Sequence, residues 1–155
     1  MKKYLLFMLA FLNVTFAYSQ KWSSSHYEAD PMKKIEAYDS YHFTDENGNM
    51  FIFWSNSPKN FRIISNESIF NYKYKSFWVE IEIGFYDVNG KFVEKIKTNG
   101  AADENEPSRL ENMSFTKGAK KIISYLKEQK GSVRFLAPLY GRASGMDFTV
   151  PCMNN

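Results

Sequence analysis

Apolar and polar positions alternate most cleanly between residues 77 and 97. Val79, Ile81, Ile83 and Phe85 are separated by Glu80, Glu82 and Gly84, so on a pleated strand the apolar side chains share one face and the acids the other. Asn89-Gly90 follows and predicts a two-residue type I′ turn, because both residue types accept positive φ. The chain returns over 91–97 with Phe92, Glu94 and Ile96 set against Lys91, Val93, Lys95 and Lys97. Opposed Glu and Lys rows predict cross-strand ion pairs on a wet face, each worth about 0.2–1 kcal/mol.

Weaker patterns flank this hairpin. Ile35, Ala37, Asp39 and Tyr41 alternate with Glu36, Tyr38, Ser40 and His42, which predicts a strand over 35–43, and Asp45-Glu46-Asn47-Gly48-Asn49 is a turn. Residues 50–54 read as a buried strand, and 61–65, 132–137 and 146–150 as further short ones. Residues 22–39 are otherwise polar, with a turn at Asp30-Pro31, and 98–112 carry Gly100, Asp103, Glu104, Glu106 and Pro107 and read as a loop. Phe115, Ala119, Ile122, Ile123 and Leu126 make one helical stripe, with Ser114 or Thr116 as N-cap and Gly131 as the stop. Lys117, Lys120, Lys121, Lys127 and Lys130 occupy its other face. The whole predicts a mainly β (α+β) chain: an antiparallel β-sandwich of about seven strands with one amphipathic helix near residues 115–130. A two-layer sheet with the helix across it is the alternative.

The N-terminus changes the picture of charge. Lys2 and Lys3 precede an apolar run over residues 4–12 that is too short to span a bilayer, and Ala17-Tyr18-Ser19 has the small residues that a signal peptidase reads. Residues 1–19 are therefore expected to be a signal peptide cut between Ser19 and Gln20. Residues 20–155 form one domain, periplasmic or extracellular, with no membrane span in the mature chain. The full chain has 20 Lys and Arg against 17 Asp and Glu. Removing Lys2 and Lys3, with no acid, leaves 18 against 17, so basicity gives no argument for nucleic acid. Cys152 is the only cysteine, so no internal disulfide forms.

A resemblance rests on several of these stretches. Trp22 with Asp30-Pro31-Met32, Phe85-Tyr86-Asp87 before its Asn-Gly turn, the lysine-rich helix, and the closing 133–138 and 146–150 together resemble small exported bacterial proteins related to the type VI secretion-associated VasI family. The resemblance implies an exported β-sandwich with no enzymatic residues to carry over. Lys33-Lys34 stands where members often have Thr-Asp, and a paired-cysteine arrangement is impossible with Cys152 alone.

Candidate chemistry is sparse. His26 and His42 are the only imidazoles, and Gly141-Arg142-Ala143-Ser144-Gly145 sets its serine one place off the nucleophile elbow. His26, Glu28 and Asp30 would share one strand face, but a fourth metal ligand at a recognisable spacing is missing. The two Asp-x-Asn-Gly turns have their glycine misplaced for a calcium loop. Glu80 and Glu82 are held ionised by nearby lysines, whereas a general acid needs a raised pKa. No cofactor or metal site is expected. Aromatics offer more: Tyr72, Tyr74 and Trp78 share the face opposite Val79 and Ile81, a strip suited to a protein or sugar if that face is open. The expectation is a non-catalytic binding module of the bacterial cell envelope that takes a protein partner through Tyr72, Tyr74 and Trp78. A glycan-binding module is the alternative, and a hydrolase is a remoter one.

Overall fold

The computed structural model describes residues 22–67, 69, 78–102, 109–112, 117–139 and 145–153. In chain order the elements are β1 (Trp22–Tyr27), β2 (Tyr38–Thr44), β3 (Met50–Trp54), β4 (Ser57–Ile64), β5 (Trp78–Asp87), β6 (Phe92–Ala102), β7 (Arg109–Asn112), α1 (Lys117–Lys127), β8 (Gly131–Ala137) and β9 (Met146–Val150). Every strand pairing is antiparallel, in the order β1-β2-β3-β4-β7-β6-β5-β8-β9. Ring contacts bring the β1–β4 half face to face with the β6-β5-β8-β9 half as a sandwich. Phe51 on β3 lies 5.4 Å from Phe135 on β8, and Phe43 on β2 lies 6.1 Å from Phe148 on β9, ring centre to ring centre.

Period-two apolarity builds this core. Val79, Ile81, Ile83 and Phe85 are all fully buried, as are Phe43, Phe51, Phe53, Ile63, Val133, Phe135 and Phe148. Burying each such side chain is worth about 1.5–3 kcal/mol. Ala119, Ile122, Ile123 and Leu126 of α1 are buried against the same core. The Tyr125 hydroxyl donates to the Tyr86 carbonyl at 3.2 Å, and the Met153 N–H donates to the Leu126 carbonyl at 3.0 Å. The helix thus ties β5 to the segment after β9. Lys127 Nζ stands 5.3 Å over Tyr41 and 5.2 Å over Phe53, and Lys121 pairs with Glu94. Two lysines of the polar stripe therefore bridge the helix to the sheets.

Several elements depart from the sequence expectation. Nine strands pair among the described residues, where about seven are predicted. β1 hides in a polar stretch because it is an edge strand: only Trp22 is partly buried and residues 23–27 are exposed, so neither face carries an apolar row. β2 begins at Tyr38, since Ile35 bridges to Asp30 and is 41% exposed. The predicted 98–112 loop contributes the end of β6 and all of β7, held by backbone pairing that side-chain periodicity does not report. The proposed N-caps, Ser114 and Thr116, lie outside the described residues, as does Phe115.

The helix stops earlier than Gly131. The Lys130 N–H reaches the Tyr125 carbonyl at 3.2 Å and the Gln129 N–H the Leu126 carbonyl at 3.4 Å, with Gln129 at φ 55°, a Schellman closure with Gln129 in the left-handed place. Gly131 is needed for another reason: a Cβ there would lie 2.0 Å from the Tyr86 carbonyl oxygen. The Asn89-Gly90 turn is also not type I′, because Gly90 at φ 76° is its only positive-φ residue. Gly90 N–H donates to Asp87 C=O at 2.9 Å and Asp87 N–H to Lys91 C=O at 2.9 Å, a three-residue loop with a glycine bulge.

Candidate functional site

The predicted strip falls largely outside the described residues: Tyr72 and Tyr74 are not among them. Trp78 is placed by its backbone, which pairs with Ala101. Following the register outward from it, Ala101 faces Glu111, Glu111 faces Arg62, Arg62 faces Ile52, and Ile52 faces His42. Position 78 therefore stands in one cross-strand row with the outer face of the β1–β4 half, the side opposite the core.

That outer face is rich in aromatic groups. Tyr27 and Tyr38 stack at 4.7 Å with planes 12° apart, at the paired β1 and β2 positions. The Arg62 guanidinium stands 5.2 Å over the Trp54 ring. Met50, Ile52 and Ile64 share the same side, and Ile52 is only 7% exposed although it points away from the core. No Asp, Glu or Lys occupies an outward position of β1, β2 or β3. Sequence periodicity did not reveal this face because Tyr38, Ser40, His42, Ile52 and Trp54 mix apolar and polar types on one row.

Two histidines sit on this half with opposite tuning. His26 Nδ1 lies 2.8 Å from Asp39 Oδ1, and that hydrogen bond raises the His26 pKa above its ordinary 6.5. His42 Nε2 lies 2.6 Å from Ser40 Oγ, and partial burial lowers its pKa, so it is neutral at pH 7. Ser40 is 1% exposed, so its hydroxyl is closed to a substrate. His26, Glu28 and Asp30 do not share a strand face, because β1 ends at Tyr27. Asp30 instead caps its own turn, accepting the Met32 and Lys33 N–H groups. Among the described residues no cluster of His, Cys, Asp or Glu is arranged to hold a metal.

A polar cleft of about 230 Å³ opens at one end of the sandwich, between the 45–49 turn, the residues after β4 and the start of β9. Asn47, Asn49, Ser65, Asn66, Glu67 and Asp147 line it, with Leu139 and Met146 as its apolar part. The turn is fixed by Asp45, whose Oδ1 accepts the Asn47 and Asn49 N–H groups at 2.9 and 2.7 Å while Oδ2 accepts from Asn49 Nδ2 at 2.9 Å. Asp87 holds the 87–91 turn in the same way, accepting from Asn89 and Lys91 N–H at 2.9 Å each. In both turns the aspartate that a calcium loop would offer to metal is consumed by backbone donors. The serine-glycine stretch at 141–144 lies outside the described residues; Gly145 is needed because a Cβ would come 2.4 Å from the Ala137 carbonyl oxygen.

The predicted ion-pair ladder on β5 and β6 is present. Lys97 Nζ reaches Glu80 Oε1 at 2.7 Å and Glu82 Oε1 at 3.2 Å, and Lys95 Nζ reaches Glu82 Oε2 at 3.1 Å. The Lys95 and Lys97 hydrogen bonds lower the Glu82 pKa, the opposite of what a general acid requires. Cys152 is half-exposed and forms no disulfide within the chain. No helix among the described residues is long and apolar enough to cross a membrane. Comparison with protein-family models, with characterised proteins and with solved structures finds no match to the chain, so the functional reading rests on its own geometry.

Proposed function

We propose that this chain is an exported, non-catalytic binding module of the bacterial cell envelope that docks a protein partner on the outer face of its β1–β4 half. The observation that carries the reading is composition by position: Tyr27, Tyr38, Trp54 and Arg62 stand outward together, and the outward positions of β1, β2 and β3 carry no Asp, Glu or Lys. Tyr, Trp and Arg dominate the energetic centres of protein interfaces, from which lysines and acids are depleted. Position 78 extends the same row. Export follows from the basic start, short apolar run and small residues before Gln20.

The test compares two purified variants with the unaltered protein as baits for envelope extracts. Tyr38→Ala with Trp54→Ala removes the aromatic face; Glu82→Gln with Lys95→Gln alters the ladder of the other half. A partner held by the unaltered protein and by the ladder variant but lost by the aromatic variant supports the reading, provided circular dichroism shows both variants folded. Equal retention by all three overturns it.

A glycan ligand is the second reading, favoured by the cleft. Its carboxamides, the Ser65 hydroxyl and two carboxylates surround a space of about 230 Å³, and such donors and acceptors are the groups that hydrogen-bond sugar hydroxyls. Binding on a glycan array that is lost in Asn66→Ala and kept in Trp54→Ala would favour the cleft over the aromatic face.

A further inference from the structure

We propose that β1 exchanges between two copies of this chain, each copy's Trp22 indole seating in the aromatic socket of the other. In the single chain, β1 is held by its backbone ladder to β2, by the Tyr27–Tyr38 stack and the His26–Asp39 hydrogen bond on that same strand, and by one side chain that enters the core. Residues 23–27 are exposed, whereas the Trp22 ring lies 5.7 Å from Phe43, 6.2 Å from Phe51 and 5.9 Å from Phe53, and its Nε1–H donates to the Pro151 carbonyl at 3.1 Å. The socket is built from β2, β3 and the segment after β9. It is complete without β1 and accepts a tryptophan from either copy.

The connection between β1 and β2 supplies both reach and drive. Residues 28–37, drawn out, span roughly 33 Å, enough to carry β1 across to a neighbouring copy. In the closed chain they are folded back: Asp30 N–H donates to Ile35 C=O at 2.9 Å and Ile35 N–H to Asp30 C=O at 3.0 Å, with Lys34 held at φ 56°. A lysine gains nothing from the left-handed region and is strained there; extending the connection releases it. Strained connections next to an exchangeable element favour swapping. β1 also has no lysine, proline or bulge, the features that keep an edge strand from pairing elsewhere. Exchange preserves every ladder pair and the Trp22 contacts, so hinge strain and protein concentration set the balance.

The test uses two single-cysteine versions of the exported, purified protein in a Cys152→Ser background. One carries Ser23→Cys and the other His42→Cys, positions that face each other across the β1–β2 ladder. The two are mixed at high concentration, oxidised and digested, and linked peptides are read by mass spectrometry. A disulfide joining positions 23 and 42 of different copies is expected, at a yield that rises with concentration. Lys34→Gly, which removes the strain while keeping the turn, lowers that yield about fivefold or more. If only 23–23 and 42–42 links form, the exchange is overturned; if the mixed link forms at a yield that Lys34→Gly leaves unchanged, hinge strain is overturned as its cause.

Discussion

On the outer face of the β6-β5-β8-β9 half, Lys95 and Lys97 lie against Glu80 and Glu82, and Arg134 forms a two-point pair with Asp147, its Nε 2.7 Å from Oδ1. On the outer face of the β1–β4 half the same ladder geometry presents Tyr27, Tyr38, Trp54, Arg62 and a neutral His42. The first face satisfies its charges internally, with the Tyr86–Phe92 ring pair and Leu136 as its apolar part. The second leaves aromatic surface whose burial is gained only on contact. Ion pairs this exposed contribute about 0–1 kcal/mol each, so the charged lattice adds little to stability, and the aromatic face is the one proposed above to meet a partner.

The largest test strikes what both faces share. Phe135 packs its ring 5.4 Å from Phe51, 5.7 Å from Phe61 and 6.1 Å from Phe148, joining the two halves. Phe135→Ala should lower stability by about 3–5 kcal/mol, seen as a shifted urea midpoint. Loss of under 1 kcal/mol would mean the halves do not depend on each other. Next comes acid and base titration, in which the halves should respond with opposite sign. His26 has a raised pKa from its Asp39 hydrogen bond, so its contribution is complete below 6.5 and fades as pH rises through its folded value. Asp147 and Glu82 have lowered pKa values from Arg134 and from Lys95 and Lys97. Their contributions are complete above ordinary carboxylate values and fade as acid titrates them in the fold. Melting temperature against pH should lose its neutral-side slope in His26→Gln and part of its acid-side slope in Asp147→Asn; an unchanged profile in both would remove the contrast.

A smaller effect comes from Thr98, which faces Ile81 on the core side with a buried hydroxyl that has no hydrogen-bond partner among the described residues. Thr98→Val keeps the shape and removes an unpaired polar group, which should add about 1 kcal/mol and raise the melting temperature. The smallest is Lys95→Gln, where a stability change beyond about 1 kcal/mol would contradict the reading of that face as screened surface charge.

How much was legible differs between the same two halves. The β5 strand announced itself because one face is dry and the other wet: Val79, Ile81, Ile83 and Phe85 against Glu80 and Glu82, down to the ion pairs with β6. β1 and β7 did not, since an edge strand or a short bridging strand is held by backbone hydrogen bonds and leaves no apolar row to count. The helix stripe was visible, but its end was not, because Gln129 takes a left-handed place that composition assigns to Gly131. The candidate site was glimpsed only at Trp78. Its neighbours Tyr27, Tyr38, Trp54 and Arg62 come from separate stretches, and no spacing rule links them.

The amino-acid order alone determined a mainly β chain with one amphipathic helix, the buried row of β5, the charged ladder beside it and the turns at 45–49 and 87–91, since each depends on neighbours within a few residues. Tertiary structure decided that nine strands of the described residues join in one ladder whose two halves pack face to face. It also decided that Trp22 closes against Phe43, Phe51, Phe53 and Pro151, and that distant aromatics meet on one outward face. Those outcomes depend on strand order and register, which are fixed by long-range pairing and not by any local pattern.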